Sequence, residues 1–175
     1  MSKDTARPVV DRTAAMPLPS IGFVGLGTMG GPMCRRLVAA GYPVTVFDID
    51  AAALVRMVES GATASLSASE CAAVADVFLT SLPRPDHVES VMSGTDGALA
   101  ALRPGSVWVD LTTNRIELLA ALTVVAPAGV AVVDAPVTGA VDGARHGTLT
   151  LFVGGADADV ARVTPILANL GLVIH

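Results

Sequence analysis

Apolar residues fall in short runs along this chain, and most of the runs end on glycine or aspartate. Ile21 to Val24 stops at Gly25, Val44 to Phe47 at Asp48, Ser106 to Val109 at Asp110 and Val130 to Val133 at Asp134. Short apolar runs closed by turn-forming residues predict buried strands. Val77 to Thr80 and Leu149 to Val153 belong to the same set, and Val173 and Ile174 begin one more. Stretches with helical spacing lie between them: Gly30 to Ala40, closed by Gly41, then Ala51 to about Glu59, Asp86 to Met92, Arg115 to Val125 and Asp157 to Leu170. Strands alternating with helices predict an α/β fold, a doubly wound and mainly parallel sheet joined by right-handed crossovers with helices on both faces. There is no internal repeat, and no Pro/Gly linker divides residues 20–175, so they are expected to form one domain. Residues 1–19 are polar and interrupted by proline. They read as a flexible leader without the apolar segment of a secretory signal.

Composition narrows the class. Hydrophobic residues make up 52% of the 175, but aromatic ones only 3%, so the core must be built from Ala, Val and Leu. That suits parallel strands covered by helices. The net charge of −5 offers no basic face for nucleic acid. Every apolar stretch is cut well short of the roughly 18 to 20 residues that a membrane-spanning helix needs. The two cysteines, Cys34 and Cys71, make no disulfide framework, and a reducing, cytoplasmic setting is the simplest inference. Met33, Cys34 and Leu37 share a helical face, which makes Cys34 a core residue.

The candidate chemistry begins at Gly25-Leu26-Gly27-Thr28-Met29-Gly30, a G-x-G-x-x-G string placed after a strand and opening a helix. Three glycines alone are a weak signal; in this position they are the Rossmann-type phosphate turn. Gly25 permits the tight bend, Gly27 clears the approach of a pyrophosphate to the backbone, and Gly30 lets helix and strand pack closely. The helix N-terminus presents free N–H groups and its positive dipole end to the phosphates. Asp48 ends the second strand where an acid hydrogen-bonds a ribose 2′-hydroxyl, and Ile49 follows it rather than an arginine that could hold a 2′-phosphate. This predicts NAD in preference to NADP. The competing reading of Asp48 is a solvated strand-end carboxylate, and Asp50 is a weaker candidate for the same role.

Ile21 to Gly41, containing G-L-G-T-M-G-G-P-M, resembles the opening of the β-hydroxyacid dehydrogenases, a family that includes 3-hydroxyisobutyrate dehydrogenase and tartronate semialdehyde reductase. Further segments agree in order: Thr80-Ser81-Leu82-Pro83, Asp110-Leu111-Thr112-Thr113, Asp134-Ala135-Pro136-Val137-Thr138-Gly139-Ala140, Gly147-Thr148-Leu149-Thr150 and Val153-Gly154-Gly155. The resemblance implies that Leu82 and Pro83 line the path from adenosine to nicotinamide. It implies that His87 contacts the cofactor and that Thr113 lies beside the nicotinamide. Thr138, Gly139 and Ala140 would hold the carboxylate of a small hydroxy acid. From the residues alone, Thr113 reads as a helix N-cap region and Thr138-Gly139 as an ordinary turn. One departure lies inside the site: Ala140 replaces a glycine of the family's triplet, and alanine resists positive φ.

The family's proton-exchanging lysine would lie on a helix beyond the last strand, and the only lysine here is Lys3. Neither catalytic residue nor metal site is therefore assigned. His87 and His146 read as solvated, and with His175 they form no metal-ligand pattern. The expectation is an oxidoreductase domain that binds NAD without turnover. Its family implies a homo-oligomer, and lack of the family's helical second domain would leave an exposed apolar surface that favours self-association. The alternatives are a stand-alone NAD-binding module and a fragment of the imine-reductase branch, whose preference for NADP is at odds with Asp48.

Overall fold

The computed structural model describes residues 17–94 and 96–175; most of the expected leader lies outside them. Four-residue strands β1 (Ile21–Val24), β4 (Val77–Thr80) and β5 (Val107–Asp110) are buried along their whole length. Strand β2 (Val44–Phe47) buries alternate residues. With the two-residue β3 (Thr63–Ala64) and β6 (Ala131–Asp134) they form a six-stranded parallel sheet in the order β3-β2-β1-β4-β5-β6.

Helices cover both faces: α1 (Gly30–Ala39), α2 (Ala51–Glu59), α3 (Ala68–Ala73), α4 (Pro85–Met92), α5 (Ala98–Ala101) and α6 (Ile116–Val125). Successive strand residues serve opposite layers, as the two-residue period requires. Phe23, Leu79 and Val109 join Leu37 and Met33 of α1 in one apolar cluster. Val24, Phe78 and Trp108 join Met92 and Leu99 in the other.

The chain then departs from the single sheet expected. Strands β7 (Val137–Thr138), β8 (Leu149–Phe152) and β9 (Gly171–Ile174) form a separate three-stranded sheet, with helices α7 (Ala140–His146) and α8 (Asp157–Leu167) between them. β7 runs antiparallel to β8, whereas β8 and β9 are parallel. The two sheets are stitched where Asp134 and Gly154 exchange backbone hydrogen bonds of 2.9 and 2.8 Å. On one face of the smaller sheet, Phe152, Leu172 and Ile174 are exposed, an apolar strip that these residues leave uncovered.

The elements missed by pattern are short. α3 has a signal in the sequence nonetheless: Ser67 and Glu70 form a capping pair. The Ser67 hydroxyl accepts the Glu70 N–H at 3.0 Å, and the Glu70 carboxylate accepts the Leu66 N–H at 3.0 Å. α7 has Gly147 as a left-handed C-cap but no side-chain N-cap, and its seven residues, interrupted by Gly143, carry no apolar stripe. α8 stops three residues short of the expected Leu170, as the chain turns through Asn169 into β9.

Candidate functional site

In this strand order the chain leaves β1 toward β2 and β3, then returns to lay β4 on the other side of β1. A ligand crevice opens at such a reversal, beyond the carboxyl ends of the strands. The glycine turn sits there, and its three glycines differ in what constrains them. Gly25 has φ +94°, and a Cβ on it would lie 2.2 Å from the Ser81 carbonyl oxygen. A Cβ on Gly30 would lie 1.9 Å from the Gly25 carbonyl oxygen. A Cβ on Gly27 would meet nothing within 4 Å. The fold itself thus demands Gly25 and Gly30 but leaves open space at Gly27, the position where a pyrophosphate needs bare backbone. Leu26 is buried, Thr28 exposed and Met29 half-buried at the N-cap of α1, which has no side-chain cap.

Asp48 is fixed by backbone donors. Its Oδ2 accepts the Leu26 N–H at 2.5 Å and its Oδ1 accepts the Asp50 N–H at 2.8 Å. A carboxylate has about four acceptor positions, so two remain open to a ligand's donors. Asp50 has separate work: it caps α2 by accepting the Ala52 N–H at 2.9 Å and lies 3.6 Å from Arg56. A cleft of about 390 Å³ runs from the glycine turn past both acids to Arg35, Arg56 and Arg145. Folding brings those three arginines together from α1, α2 and α7, and no spacing in the sequence announces them.

The next loops leave β4 and β5. Leu82 is half-buried and Pro83 exposed, and the Leu82 N–H is held by the Thr112 hydroxyl at 3.0 Å. Thr113 is exposed beside it and caps nothing; α6 begins after Arg115 without a side-chain cap. His87, in the first turns of α4, has Nε2 at 3.0 Å from the Arg84 guanidinium, which also binds Asp86. Asp110, fully buried, organises this region. It accepts the Thr80 hydroxyl at 2.8 Å, the Thr112 N–H at 3.1 Å and the Asn114 amide at 2.8 Å. The Trp108 indole N–H reaches the same Thr80 hydroxyl at 2.9 Å. Burial raises the pKa of Asp110 above the usual carboxylate value, against the pull of these donors. Burial, with the neighbouring charge of Asp110, pushes Asp134 up to about 6.

Thr138, Gly139 and Ala140 are exposed where β7 passes into α7. Gly139 has φ 126° and Ala140 φ 55°. Alanine therefore occupies the left-handed region that it disfavours by roughly 1–2 kcal/mol. The expected conflict at this position is real: Ala140 holds a positive φ. Both cysteines are buried with thiol pKa values raised by that burial, Cys71 to about 12, which leaves them inert. Among the described residues no three acids, histidines or cysteines could hold a metal, and no helix is long and apolar enough to cross a membrane.

The strand order, the glycine turn and the strand-end acid define a Rossmann-type dinucleotide-binding domain. Residues 20–175 match the family described as the NAD binding domain of 6-phosphogluconate dehydrogenase, and the chain belongs to that family. It is 42% identical over 155 residues to 3-hydroxyisobutyrate dehydrogenase of Pseudomonas aeruginosa, covering 88% of this chain and 52% of that protein. The structure of Mycobacterium tuberculosis 3-hydroxyisobutyrate dehydrogenase with L-serine superimposes with a TM-score of 0.84 at 36% identity, over 90% of this chain and 54% of that one. Psf3 in complex with NADP+ and 2-OPP gives a TM-score of 0.82 at 30% identity, over 87% of this chain and 55% of that one. The chain spans about half the length of these relatives.

Proposed function

We propose that residues 20–175 are the cofactor-binding domain of an enzyme that moves hydride between NAD and a small 3-hydroxy acid of the 3-hydroxyisobutyrate kind. The observation that carries the reading is Gly27: it is a glycine that the fold does not need, set at a helix N-terminus and facing a cleft beside Asp48. The turn from Gly25 to Gly30 would hold the pyrophosphate through backbone N–H groups and the dipole of α1. Asp48 would accept the ribose hydroxyls and repel a 2′-phosphate, which favours NAD over NADP. Leu82, Pro83, His87 and Thr113 would line the nicotinamide side. The hydroxy acid would meet Thr138, Gly139 and Ala140, whose hydroxyl and N–H groups suit a carboxylate.

When bound, the nicotinamide supplies the hydride chemistry. The accompanying proton at the substrate hydroxyl needs a base, and among the described residues lining this cleft there is neither a lysine nor a histidine. This chain is therefore proposed to bind NAD without turnover, and the family relationship suggests a homo-oligomer. An NAD-reduction assay with a panel of small 3-hydroxy acids, run beside an NAD-binding titration, tests both parts. Binding without reduction is expected. Robust reduction by this chain would overturn the second part, and absence of binding the first.

A further inference from the structure

Asp110 and Asp134 are partners in the parallel β5–β6 ladder. Residues in register on neighbouring strands point to the same face, so two carboxyl groups stand side by side at the carboxyl end of the sheet. They are not equivalently supported. Asp110 has three donors, whereas Oδ1 of Asp134 is buried with no hydrogen-bond partner among the described residues. Asp134 is half-buried, and on ionisation its Oδ1 gains no hydrogen bond for the solvation it lacks, while a second charge alongside adds to the cost. Two acids so placed ionise in two steps that belong to the pair.

The surroundings supply no counter-charge. Of the helices packed on β6, α8 carries Asp157, beside His175, and Asp159, beside Arg162, and α6 carries Glu117. None of these acts on Asp134, on which Asp110 is the charged group that bears. Asp110 is tied to the neighbouring loops. Asp110 holds Thr112 and Asn114, and Thr112 in turn holds the Leu82 N–H, so the loops after β4 and β5 hang on one carboxylate. Asp134 begins the segment that leads to Thr138, and its backbone joins the two sheets.

We propose that Asp110 and Asp134 form a single positioning unit that carries one negative charge in mildly acidic solution, with the proton on Asp134, and two in alkaline solution, and that this unit sets the spacing of the loops on the nicotinamide side of the cleft. The functional consequence rests on the dinucleotide reading above; the existence of the pair does not.

The sole tryptophan, Trp108, is wired to the unit through Thr80 and serves as its reporter. Tryptophan fluorescence and melting temperature are followed from pH 4 to 8.5 in the native chain, Asp134→Asn and Thr80→Val, and NAD affinity is measured at pH 5 and 8. The native chain should show a fluorescence transition near pH 6 that Asp134→Asn lacks. Thr80→Val should lose the fluorescence transition but keep the pH dependence of melting. Because the acid's folded-state pKa lies above its unfolded value, native stability falls as pH rises from about 4 to about 6 and is level beyond. Asp134→Asn should therefore match the native chain near pH 4 and melt higher above pH 6. NAD affinity should fall about 3- to 10-fold from pH 5 to 8 in the native chain and stay flat in Asp134→Asn. The same fluorescence transition in Asp134→Asn, or none in the native chain, overturns the pair. A transition without change in NAD affinity overturns the positioning role. No NAD binding at any pH sinks the reading of the cleft, while fluorescence still decides the pair.

Discussion

The carboxylate of Asp48 accepts the backbone N–H of Leu26 at 2.5 Å, across 22 positions of sequence. The acid at the end of β2 and the glycine turn after β1 are thereby one unit, so the group proposed to read the ribose is registered against the loop proposed to hold the phosphates. Asp48→Asn retains an oxygen for the Leu26 N–H, gives up the acceptor for the Asp50 N–H and removes the charge proposed to oppose a 2′-phosphate. Its affinity for NADP relative to NAD should rise about tenfold or more, a change of about 1.4 kcal/mol. Paired calorimetric titrations read this directly.

The three glycines should separate by their effects. Gly30→Ala drives a Cβ to 1.9 Å from a backbone oxygen that cannot yield. A cost of ~3 kcal/mol or more is expected, at the upper end of overpacking penalties. Gly27→Ala adds a methyl group to open space, so denaturant melts should match the native chain while dinucleotide binding weakens at least tenfold. A destabilised Gly27→Ala would mean that the fold, not a ligand, requires this glycine.

Ala140 sits at φ 55°. Ala140→Gly relieves that strain at the expense of a more flexible unfolded chain, and a net gain of roughly 0.5–1 kcal/mol is expected. For a chain of this size, that is a rise of about 1–4 °C in melting temperature. A lower melting temperature would show that the left-handed geometry is not the strained one.

At the other end of the sheet, Asp76 accepts the backbone N–H and hydroxyl of Ser20, each at 2.8 Å, and lies 3.3 Å from Arg103. These donors, with Ser20 foremost, lower its pKa below the usual carboxylate value. A lowered folded-state pKa contributes stability above the unfolded value and loses it as pH falls through the folded one. Asp76→Ala should cost up to about 1 kcal/mol at pH 7, since the group is half-exposed. The difference from the native chain should shrink below pH 3.8 and vanish in strong acid. Melts at pH 7 and pH 2.5 check the sign.

Five of the six strands of the main sheet were legible in the sequence as short apolar runs, four of them ending on glycine or aspartate. The helices α1, α2, α4, α6 and α8 followed from their spacing. The two-residue strands β3 and β7 are below the length at which alternation can be read. α7 is held by tertiary contact: Gly143 packs against Leu149, and Arg36 of α1 reaches the carbonyls of Arg145 and Asn169. Its local signals are confined to charge at its two ends and to Gly147, which closes it in the left-handed conformation. At the site, the glycine turn and Asp48 stood out as motifs. The arginines of the cleft and the Trp108–Thr80–Asp110 chain could not, because they arise from strand register and helix packing rather than spacing. The aspartates ending β5 and β6 were visible, but their mutual influence depends on a ladder that only the fold aligns.

The most direct test is calorimetric titration of this chain with NAD and with NADP under one buffer condition, beside Gly27→Ala. One NAD site is expected, at least about tenfold tighter than NADP, with both weakened in the variant. Tighter binding of NADP, or unaltered binding in Gly27→Ala, would contradict the account.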